Sequence, residues 1–239
     1  METALNHFER ISAEFDAEPN QMLGTALRRD IIGGHFMAAI SLIDGLHMQR
    51  AIRYFRADPI PDSVIEAILD AAIRAPSGGN SQRWAFVVIK DKFIKSQLAI
   101  LYKEYWDTVY SLRIDKPSST VSRSAEHLAN SFGDSPAIII PCIRGKKGSD
   151  RDVLTTGASI YPAAQNIMLA ALSQGVGSVI TTFLQNREEE VSRILNIPDD
   201  YQTACAIPMG YPSGEETFGG SRRKPLSDVV HFDQWSDTQ

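Results

Sequence analysis

The segment ASIYPAAQNIMLAALSQGVG, residues 158–177, constrains the fold of this chain more than any other. Its apolar residues recur at helical spacing around most of the circumference, and Gly175 and Gly177 follow as a stop signal. A helix on the protein surface keeps one polar face, so a helix that is apolar on nearly all sides belongs in the interior. The remaining segments must therefore form layers that cover it.

Four short apolar segments predict the strands of a sheet: WAFVVIKD, PAIIIPCIR, GSVITTF and ACAIPMGYP. The segment DVVHF in the C-terminal tail is predicted as a further short strand. Helices and strands alternate along the chain but do not repeat a regular βαβ unit. The pattern predicts an α+β fold with a mixed sheet around the hydrophobic central helix.

Two surface helices carry recognisable ends. Residues 62–74 have amphipathic spacing, Ser63 and Glu66 match a capping box, and Pro76 closes the segment. In NREEEVSRILNIPDDY, Asn186 is predicted to cap the helix and Asn196 to stop it. The aromatic-rich segment KFIKSQLAILYKEYWDTVYSLRID is also predicted as helix, and the region from Lys103 to Ser131 as a lid that contains a further helix.

Composition limits the classes of partner. The 239 residues carry a formal charge of −5 with a pI near 5.6, which argues against generic nucleic-acid binding. The apolar runs are too short to cross a bilayer, and the acidic start METALNHFERISAEFDAE does not resemble a secretory signal. Cys142 and Cys205 are far apart and do not form a disulfide framework. We therefore expect a cytoplasmic protein with an N-terminal helical extension over residues 1–47 and a main domain over residues 48–239.

Familiar catalytic motifs are absent from the sequence. It contains no G-x-S-x-G, H-E-x-x-H, phosphate-binding P-loop or Rossmann glycine pattern, and its five histidines show no metal spacing. We expect no metal site and assign no catalytic side chain. If the protein is an enzyme, the reactive atom belongs to a cofactor.

Three polar clusters are candidates for binding a cofactor. Gln49-Arg50-Ala51-Ile52-Arg53 presents two guanidinium groups that suit a phosphate. The corner Pro76-Ser77-Gly78-Gly79-Asn80 combines small residues with hydrogen-bonding groups that suit a flat heterocycle. The tail segment Ser221-Arg222-Arg223-Lys224 is again cationic. Taken alone, the two basic clusters favour a solvated charged segment, and the corner is equally compatible with an ordinary turn.

Taken together with Thr181-Thr182, these clusters resemble the FMN-dependent nitroreductase superfamily, most closely the branch of the iodotyrosine deiodinases and their bacterial relatives. The resemblance covers roughly residues 46–231. It rests on QRAIRYF…PIP, AAIRAPSGGNSQRWAFVVIKD, GASIYPAAQNIMLAALSQGVGS, VITTF and MGYPSGEETFGGSRRKPLSDVV, in the family order.

The resemblance implies a nitroreductase-like fold in an intertwined homodimer with FMN at the subunit interface, bound by the main domain. Arg50 and Arg53 match family arginines that hold the phosphate and ring edge, whereas Gln49 and Ala51 replace a family arginine and serine. The implied FMN-binding residues are Gln49, Arg50, Ala51, Ile52, Arg53, Pro76, Ser77, Gly78, Asn80, Thr181, Thr182 and Arg223.

The family also implies a reaction. NADH or NADPH reduces the flavin, leaves, and is replaced by a small flat oxidised substrate such as a nitroaromatic, a quinone or an enone, in a ping-pong sequence. Thr182 beside the flavin N5 resembles the dehalogenase branch, so reductive dehalogenation of halogenated aromatics is an alternative. Two further alternatives are open. The chain is a flavin-binding or flavin-cleaving protein with little reductase turnover, or it is a structural protein without flavin.

Overall fold

The computed structural model describes residues 40–114, 119–145 and 153–235, which place helices on both faces of one sheet. The helices are α1 (Leu42–Met48), α2 (Asp62–Ala72), α3 (Lys92–Tyr105), α4 (Thr120–Ser131), α5 (Val153–Ser173) and α6 (Glu188–Leu195). The strands are β1 (Trp84–Ile89), β2 (Ala137–Arg144), β3 (Gly177–Ser178), β4 (Tyr201–Thr203) and β5 (Ile207–Gly210).

The sheet has the order β1-β2-β5-β3, and β4 pairs with β2 beside β5. All pairs between these strands are antiparallel. The parallel component is an isolated bridge between Ala51 and Ser178. The predicted α+β class is therefore confirmed, and β1 and β3 form opposite edges of the described sheet.

The predicted central helix is confirmed as α5, which starts a few residues earlier than the sequence pattern suggested. Its residues Ala163, Ala164, Ile167 and Ala171 are fully buried. Ala164, Ile167 and Ala171 share a core cluster with the inner face of α2 and with alternate residues of β2 and β5. Burial on this scale on several sides explains why the segment lacks a polar face.

A second core lies on the other face of the sheet, beneath α3 and α4. Tyr102 and Trp106 pack with Phe132, Ile138 and Ile140 there. Ile138 and Ile140 belong to this cluster, whereas their neighbours in β2 face the cluster around α5. The alternation follows from the two-residue period of a strand. Strand β2 is thus buried on both faces, as its continuous apolar sequence predicted.

Both helix N-caps predicted from the sequence are wrong, although the helices themselves are confirmed. Helix α2 starts at Asp62 with Pro61 as its N-cap, so Ser63 lies inside the first turn and no side chain caps the helix. Pro61 sets the start because its fixed φ suits this position. Asn186 lies in a 3₁₀ turn that precedes α6, and its side chain donates to the Phe183 carbonyl. The predicted stop at Asn196 is confirmed, with a left-handed φ of 52°.

The strand predictions need three corrections. Strand β1 is half-buried rather than buried at five of its six positions, because it is an edge of the sheet. The segment GSVITTF contributes only β3 and a bridge from Thr181 to Ala206. The segment DVVHF forms no strand, and a 3₁₀ turn at Leu226–Asp228 occupies its start. Turn geometry thus overrides the apolar composition of the tail.

The N-terminal extension stays a prediction, because residues 1–39 lie outside the described residues. The described part begins just before α1, which Ser41 caps by accepting a hydrogen bond from the Asp44 N–H at 3.1 Å. No helix within the described ranges combines the length and apolarity needed to span a membrane.

Candidate functional site

The segment of residues 49–56, here called the basic segment, lies along the edge strand β3. Ala51 forms a bridge with Ser178, and the Ile52 N–H donates to the Ser178 carbonyl at 3.0 Å. The Ile52 side chain is fully buried against Gly177. A Cβ atom on Gly177 would lie 2.7 Å from Ile52 Cγ2, so only glycine permits this approach. The backbone around Arg50 and Arg53 is therefore fixed by the sheet.

The two arginines of the basic segment have different surroundings. The Arg53 Nη1 donates to Ser124 Oγ on α4 at 3.1 Å, and the Arg53 backbone N–H donates to the Glu216 carboxylate. Arg50 is half-buried, and its guanidinium has no hydrogen bond or ion pair within the described residues. The side-chain amide of Gln49 lies 3.8 Å from Met168 Sδ. Arg50 is thus the cation of this segment with donors free for an anion.

The two neighbouring threonines also differ. Thr181 exchanges backbone hydrogen bonds with Ala206 at 2.9 and 2.8 Å, and its side chain is 9% exposed. Its hydroxyl lies 3.1 Å from the Tyr102 hydroxyl. Thr182 is exposed, and its hydroxyl has no partner among the residues that the structure describes. Thr181 therefore anchors the loop, and Thr182 presents the free hydroxyl.

Tyr102 on α3 connects the loop that contains Thr181 and Thr182, here called the threonine loop, with the basic segment. Its ring stacks on Phe132 with a centroid distance of 4.2 Å and is 3% exposed. Burial raises the pKa of Tyr102 to about 12, against the smaller opposing effects of the Thr181 hydrogen bond and the Arg53 charge. Ala51 and Phe55 of the basic segment also pack against the core cluster that contains Tyr102, so this segment and the Tyr102–Thr181 pair share one part of the core.

The C-terminal tail runs beside the basic segment. The Ser213 N–H donates to the Tyr54 carbonyl at 3.0 Å, and the Gly219 N–H donates to the Met48 carbonyl at 3.0 Å. Arg223 follows Gly219 by four residues, so its Cα lies within about 14 Å of that contact. Arg223 is exposed, and in the described chain its side chain donates only to the Arg222 carbonyl. The structure therefore brings the tail cations to the same edge as Arg50.

The corner, residues 76–82, is a self-contained turn. Gly79, Asn80 and Gln82 have positive φ angles of 59°, 52° and 46°. The Ser77 Oγ accepts from the Gln82 N–H at 3.1 Å, and the Asn80 Oδ1 accepts from the Gln82 side-chain amide at 3.2 Å. Gly78 and Gly79 face open space. The corner therefore presents backbone to its surroundings and uses its side chains largely to hold its own shape.

The corner does not reach the basic segment within one chain. It leads into the start of β1, where Trp84 pairs with Ile143, whereas Ser178 lies at the level of Ala137 on the opposite edge. The two positions are separated by three strand spacings and six residues of β2. Those steps correspond to about 14 Å across and about 20 Å along the sheet. The candidate residues thus form two groups at opposite edges.

Ion pairs and aromatic contacts join the lid region to the threonine loop. Arg187 pairs with Glu104 at the end of α3 and with Glu190 at 2.8 Å. Phe183, which follows Thr182, packs on Tyr110 at a ring-centroid distance of 4.7 Å. Trp106–Tyr110 form a π-helical turn, a geometry that often marks functional sites. Part of the lid, residues 115–118, lies outside the described residues.

Comparison with known proteins identifies the family. The model of the nitroreductase family matches residues 46–211, which is more than half of the chain. This chain belongs to the nitroreductase family.

Three relatives of this nitroreductase-family chain illustrate the likeness. A Methanothermobacter thermautotrophicus protein with the provisional name NADH dehydrogenase/NAD(P)H nitroreductase is 25% identical over 83% of this chain and 90% of its own length. Iodotyrosine deiodinase 1 of Rattus norvegicus is 26% identical over 77% of this chain and 67% of its own length. A crystal structure of oxidised iodotyrosine deiodinase with FMN and 3-iodo-L-tyrosine has a TM-score of 0.65, 21% identity, and coverage of 82% and 100%.

Sequence reasoning about this nitroreductase-family chain missed four residues that shape the site. Ser124 and Glu216 hold Arg53, Tyr102 holds Thr181, and Phe183 connects the threonine loop with the lid. Only the aromatic richness around Tyr102 gave a local signal. The other contacts join residues that are distant in sequence, so periodicity could not reveal them.

A metal centre has no support in the described residues. No three His, Cys, Asp or Glu side chains there lie close enough to hold an ion. The two cysteines are buried and unpaired, and burial raises each thiol pKa to about 12. Their thiols are therefore inert rather than nucleophilic at neutral pH.

Proposed function

We propose that this chain is an FMN-dependent oxidoreductase that uses NAD(P)H to reduce small flat oxidised substrates, such as nitroaromatics, quinones or enones. The observation that carries the proposal is Arg50. This half-buried residue has no anionic partner among the described residues, and it lies on a segment whose backbone is held along β3. A buried cation is stabilised by an anion, and the FMN phosphate is a dianion at the pH of the cell.

The residues present fit the phosphate end of FMN. Arg50 lies on a backbone fixed by β3, and the tail brings Arg223 toward the same edge. The chain has a formal charge of −5, so a dianion needs such a local cluster of cations. Arg53 is already bonded to Ser124 and supports the segment rather than offering all its donors.

The residues also fit the ring end of FMN. Thr182 offers an exposed hydroxyl, and Gln185 follows it by three residues. The Gln185 side-chain nitrogen and oxygen are both buried and have no partner in the described part of the chain. An unsatisfied buried amide costs free energy, so a partner from a ligand or a second chain is expected. A flavin ring edge carries both donors and acceptors for these groups.

A complete site requires two subunits in this proposal. The corner lies at the opposite edge of the sheet from Arg50, so a flavin held by both groups must contact two copies of the chain. Exposed apolar side chains support association, namely Leu42, Ile43 and Leu46 of α1 and Leu226, Val229, Phe232 and Trp235 of the tail. We therefore propose a homodimer with FMN at its interface, bound by residues 48–239, in the reducing cytoplasm.

The chain needs no acidic or basic side chain of its own for the proposed reaction. Bound FMN would supply the acceptance of electrons from NAD(P)H and their transfer to the oxidised substrate, one partner after the other. Arg50 and Arg223 would bind the phosphate, and Thr182 would donate to or accept from the ring. The lid aromatics around Phe183 would exclude water from the space above the ring.

Titration of the full-length apoprotein with FMN tests the first half of the proposal. Flavin fluorescence should be quenched with one FMN bound per chain, and Arg50→Gln should weaken binding. Arg193→Gln is the matched control, because Arg193 is an exposed arginine on α6 away from the basic segment. A parent protein that binds no FMN contradicts the proposal.

Steady-state oxidation of NADH and NADPH tests the second half. Each donor is paired with a nitroaromatic, a quinone, an enone or 3-iodotyrosine, and products are identified. Turnover of the first three classes supports the proposal. Tight FMN binding without turnover of any oxidant indicates instead a flavin-binding or flavin-cleaving protein.

Reductive dehalogenation is the second candidate, favoured by the deiodinase relatives and by the exposed Thr182 hydroxyl. Release of iodide from 3-iodotyrosine faster than reduction of nitroaromatics would favour it. The lid carboxylate of Glu104 is already paired with Arg187. A zwitterionic amino acid would therefore have to compete with Arg187 for that carboxylate, which is why the flat, uncharged substrates are preferred.

A further inference from the structure

The threonine loop carries one hydroxyl that is free within the described residues and one that is already hydrogen-bonded. The Thr181 hydroxyl lies 3.1 Å from the Tyr102 hydroxyl, and both side chains are almost fully buried. Backbone bonds to Ala206 hold the main chain of Thr181 from the other side. Thr182, the next residue, is exposed and is the N-cap of a 3₁₀ turn over Phe183–Arg187. The direction of the Thr182 side chain therefore depends on how firmly Thr181 is held.

Tyr102 has little freedom of its own. Its ring is stacked on Phe132 at 4.2 Å and is tilted against Phe183 at 4.9 Å. A ring packed on both sides in this way places its hydroxyl at one point in the interior. The hydroxyl has Thr181 as its hydrogen-bonding partner within the described residues. Breaking this bond leaves a buried polar group unsatisfied on each side.

The same tyrosine connects elements that come from different parts of the chain. It lies on α3, stacks on Phe132 after α4, and reaches the loop between β3 and α6. Ala51 and Phe55 of the basic segment pack against the core cluster to which Tyr102 belongs. Tyr102 is thus the residue through which the basic segment, the lid and the threonine loop meet.

We infer that Tyr102 is a positioning residue that fixes the Thr181–Thr182 loop for its contact with the flavin ring. This inference rests on the proposed FMN site and adds to it a group that does not touch the flavin. Tyr102 acts through Thr181. Its loss should alter how the ring is bound without removing any atom that contacts the cofactor.

The test compares hydroxyl deletions in the full-length protein loaded with FMN. Tyr102→Phe keeps the ring packing and removes the hydroxyl, whereas Thr181→Val removes the partner from the other side. Thr181→Ser keeps a hydroxyl at the same place and should rescue binding. Tyr161→Phe is the matched control, since it removes a tyrosine hydroxyl that donates to the Ala204 carbonyl at 3.1 Å, outside the proposed site.

Three measurements are made for each variant: the FMN dissociation constant, the visible absorption band of the bound flavin, and the melting temperature of the apoprotein. Tyr102→Phe and Thr181→Val should each weaken FMN binding about 3- to 10-fold and change the shape of the band. The double variant should bind within about twofold of either single variant, because both remove one bond. Tyr161→Phe should keep the parent's dissociation constant and band, and Thr181→Ser should bind FMN more tightly than Thr181→Val.

The outcomes separate the inference from the proposed function. A parent that binds no FMN overturns both. A parent that binds FMN, with Tyr102→Phe and Thr181→Val changing only the melting temperature, overturns the inference alone and leaves Tyr102 a packing residue. If Tyr102→Phe does not fold, Thr181→Val against Thr181→Ser decides the question in the same way, since their difference isolates the hydroxyl.

Discussion

The basic segment and the corner are both candidates for holding one cofactor, yet they keep their shapes by opposite means. The basic segment is held from outside, by backbone bonds to β3 and by the buried Ile52 against Gly177. The corner is held from within, by bonds that Ser77 and Asn80 make to Gln82. The first therefore depends on residues far away in sequence, whereas the second depends on its own residues.

This difference predicts which substitutions disrupt each region. A change in the sheet should damage the basic segment without any substitution in it. The corner should respond only to its own residues. The following variants test the contrast, from the largest expected effect to the smallest.

Gly177→Ala should disturb the basic segment from β3. The new methyl group would lie 2.7 Å from Ile52 Cγ2, so the strand and the segment must separate. We expect the free energy of unfolding to fall by about 3 kcal/mol, measured by chemical denaturation, with FMN binding lost as well. Gly78→Ala in the corner is the matched control, because nothing lies within 4 Å of its Cβ position. Equal effects of the two substitutions would refute the contrast.

Arg50→Gln should affect the cofactor and not the fold. No described group bonds to Arg50, so the melting temperature of the apoprotein should stay unchanged. Loss of charged hydrogen bonds to a phosphate corresponds to about 2 kcal/mol, or roughly a 30-fold weaker FMN affinity in a fluorescence titration. Arg53→Gln should instead lower the melting temperature, because Arg53 holds Ser124. The same pattern in both variants would contradict the assigned division of roles.

Asn80→Ala should weaken the corner locally. Alanine at a φ of 52° costs about 1 kcal/mol and loses the bond to Gln82. We expect a loss of this size in unfolding free energy and a several-fold weaker FMN affinity. Asn80→Gly accepts the left-handed backbone and should restore stability but not affinity. Unchanged FMN affinity in Asn80→Ala would show that this side chain does not contact the cofactor.

Alkaline pH should lower the free energy of unfolding through ionisation of the buried Tyr102. The pKa of Tyr102 is raised to about 12 in the folded protein from about 10 in the unfolded chain. Its contribution to stability is thus complete below about pH 10 and is lost as the pH rises toward 12. Between about pH 8 and about pH 10.5 the parent should lose about 1 kcal/mol more than Tyr102→Phe. Parallel pH profiles of the two proteins would argue against an ionisable buried hydroxyl.

Local patterns predicted the elements of the fold better than their ends and edges. The central helix and the helix over residues 62–74 follow from periodicity, which is a property of neighbouring residues. The caps at Ser63 and Asn186 failed because Pro61 and a 3₁₀ turn set the starts. The exposure of β1 could not be predicted, since it depends on which strands lie beside it.

The candidate site, like the fold, was predictable from the sequence only in part. Residue types that suit a phosphate or a flat ring are visible in the sequence at Arg50, Thr182 and the corner. Their grouping depends on the register of β1 with β2 and of β3 with β5, which no local pattern encodes. The supporting contacts of Arg53 and Tyr102 join residues distant in sequence, so they too became visible only in the fold.

The placement of Arg50 and the corner at opposite edges has a genetic consequence. If each flavin takes Arg50 from one subunit and the corner from the other, a mixed dimer of Arg50→Gln and Asn80→Ala chains contains one site with both defects and one site with neither. Co-expression of the two defective genes should therefore restore an intact site to each mixed dimer, whereas a site built within one chain would show no complementation.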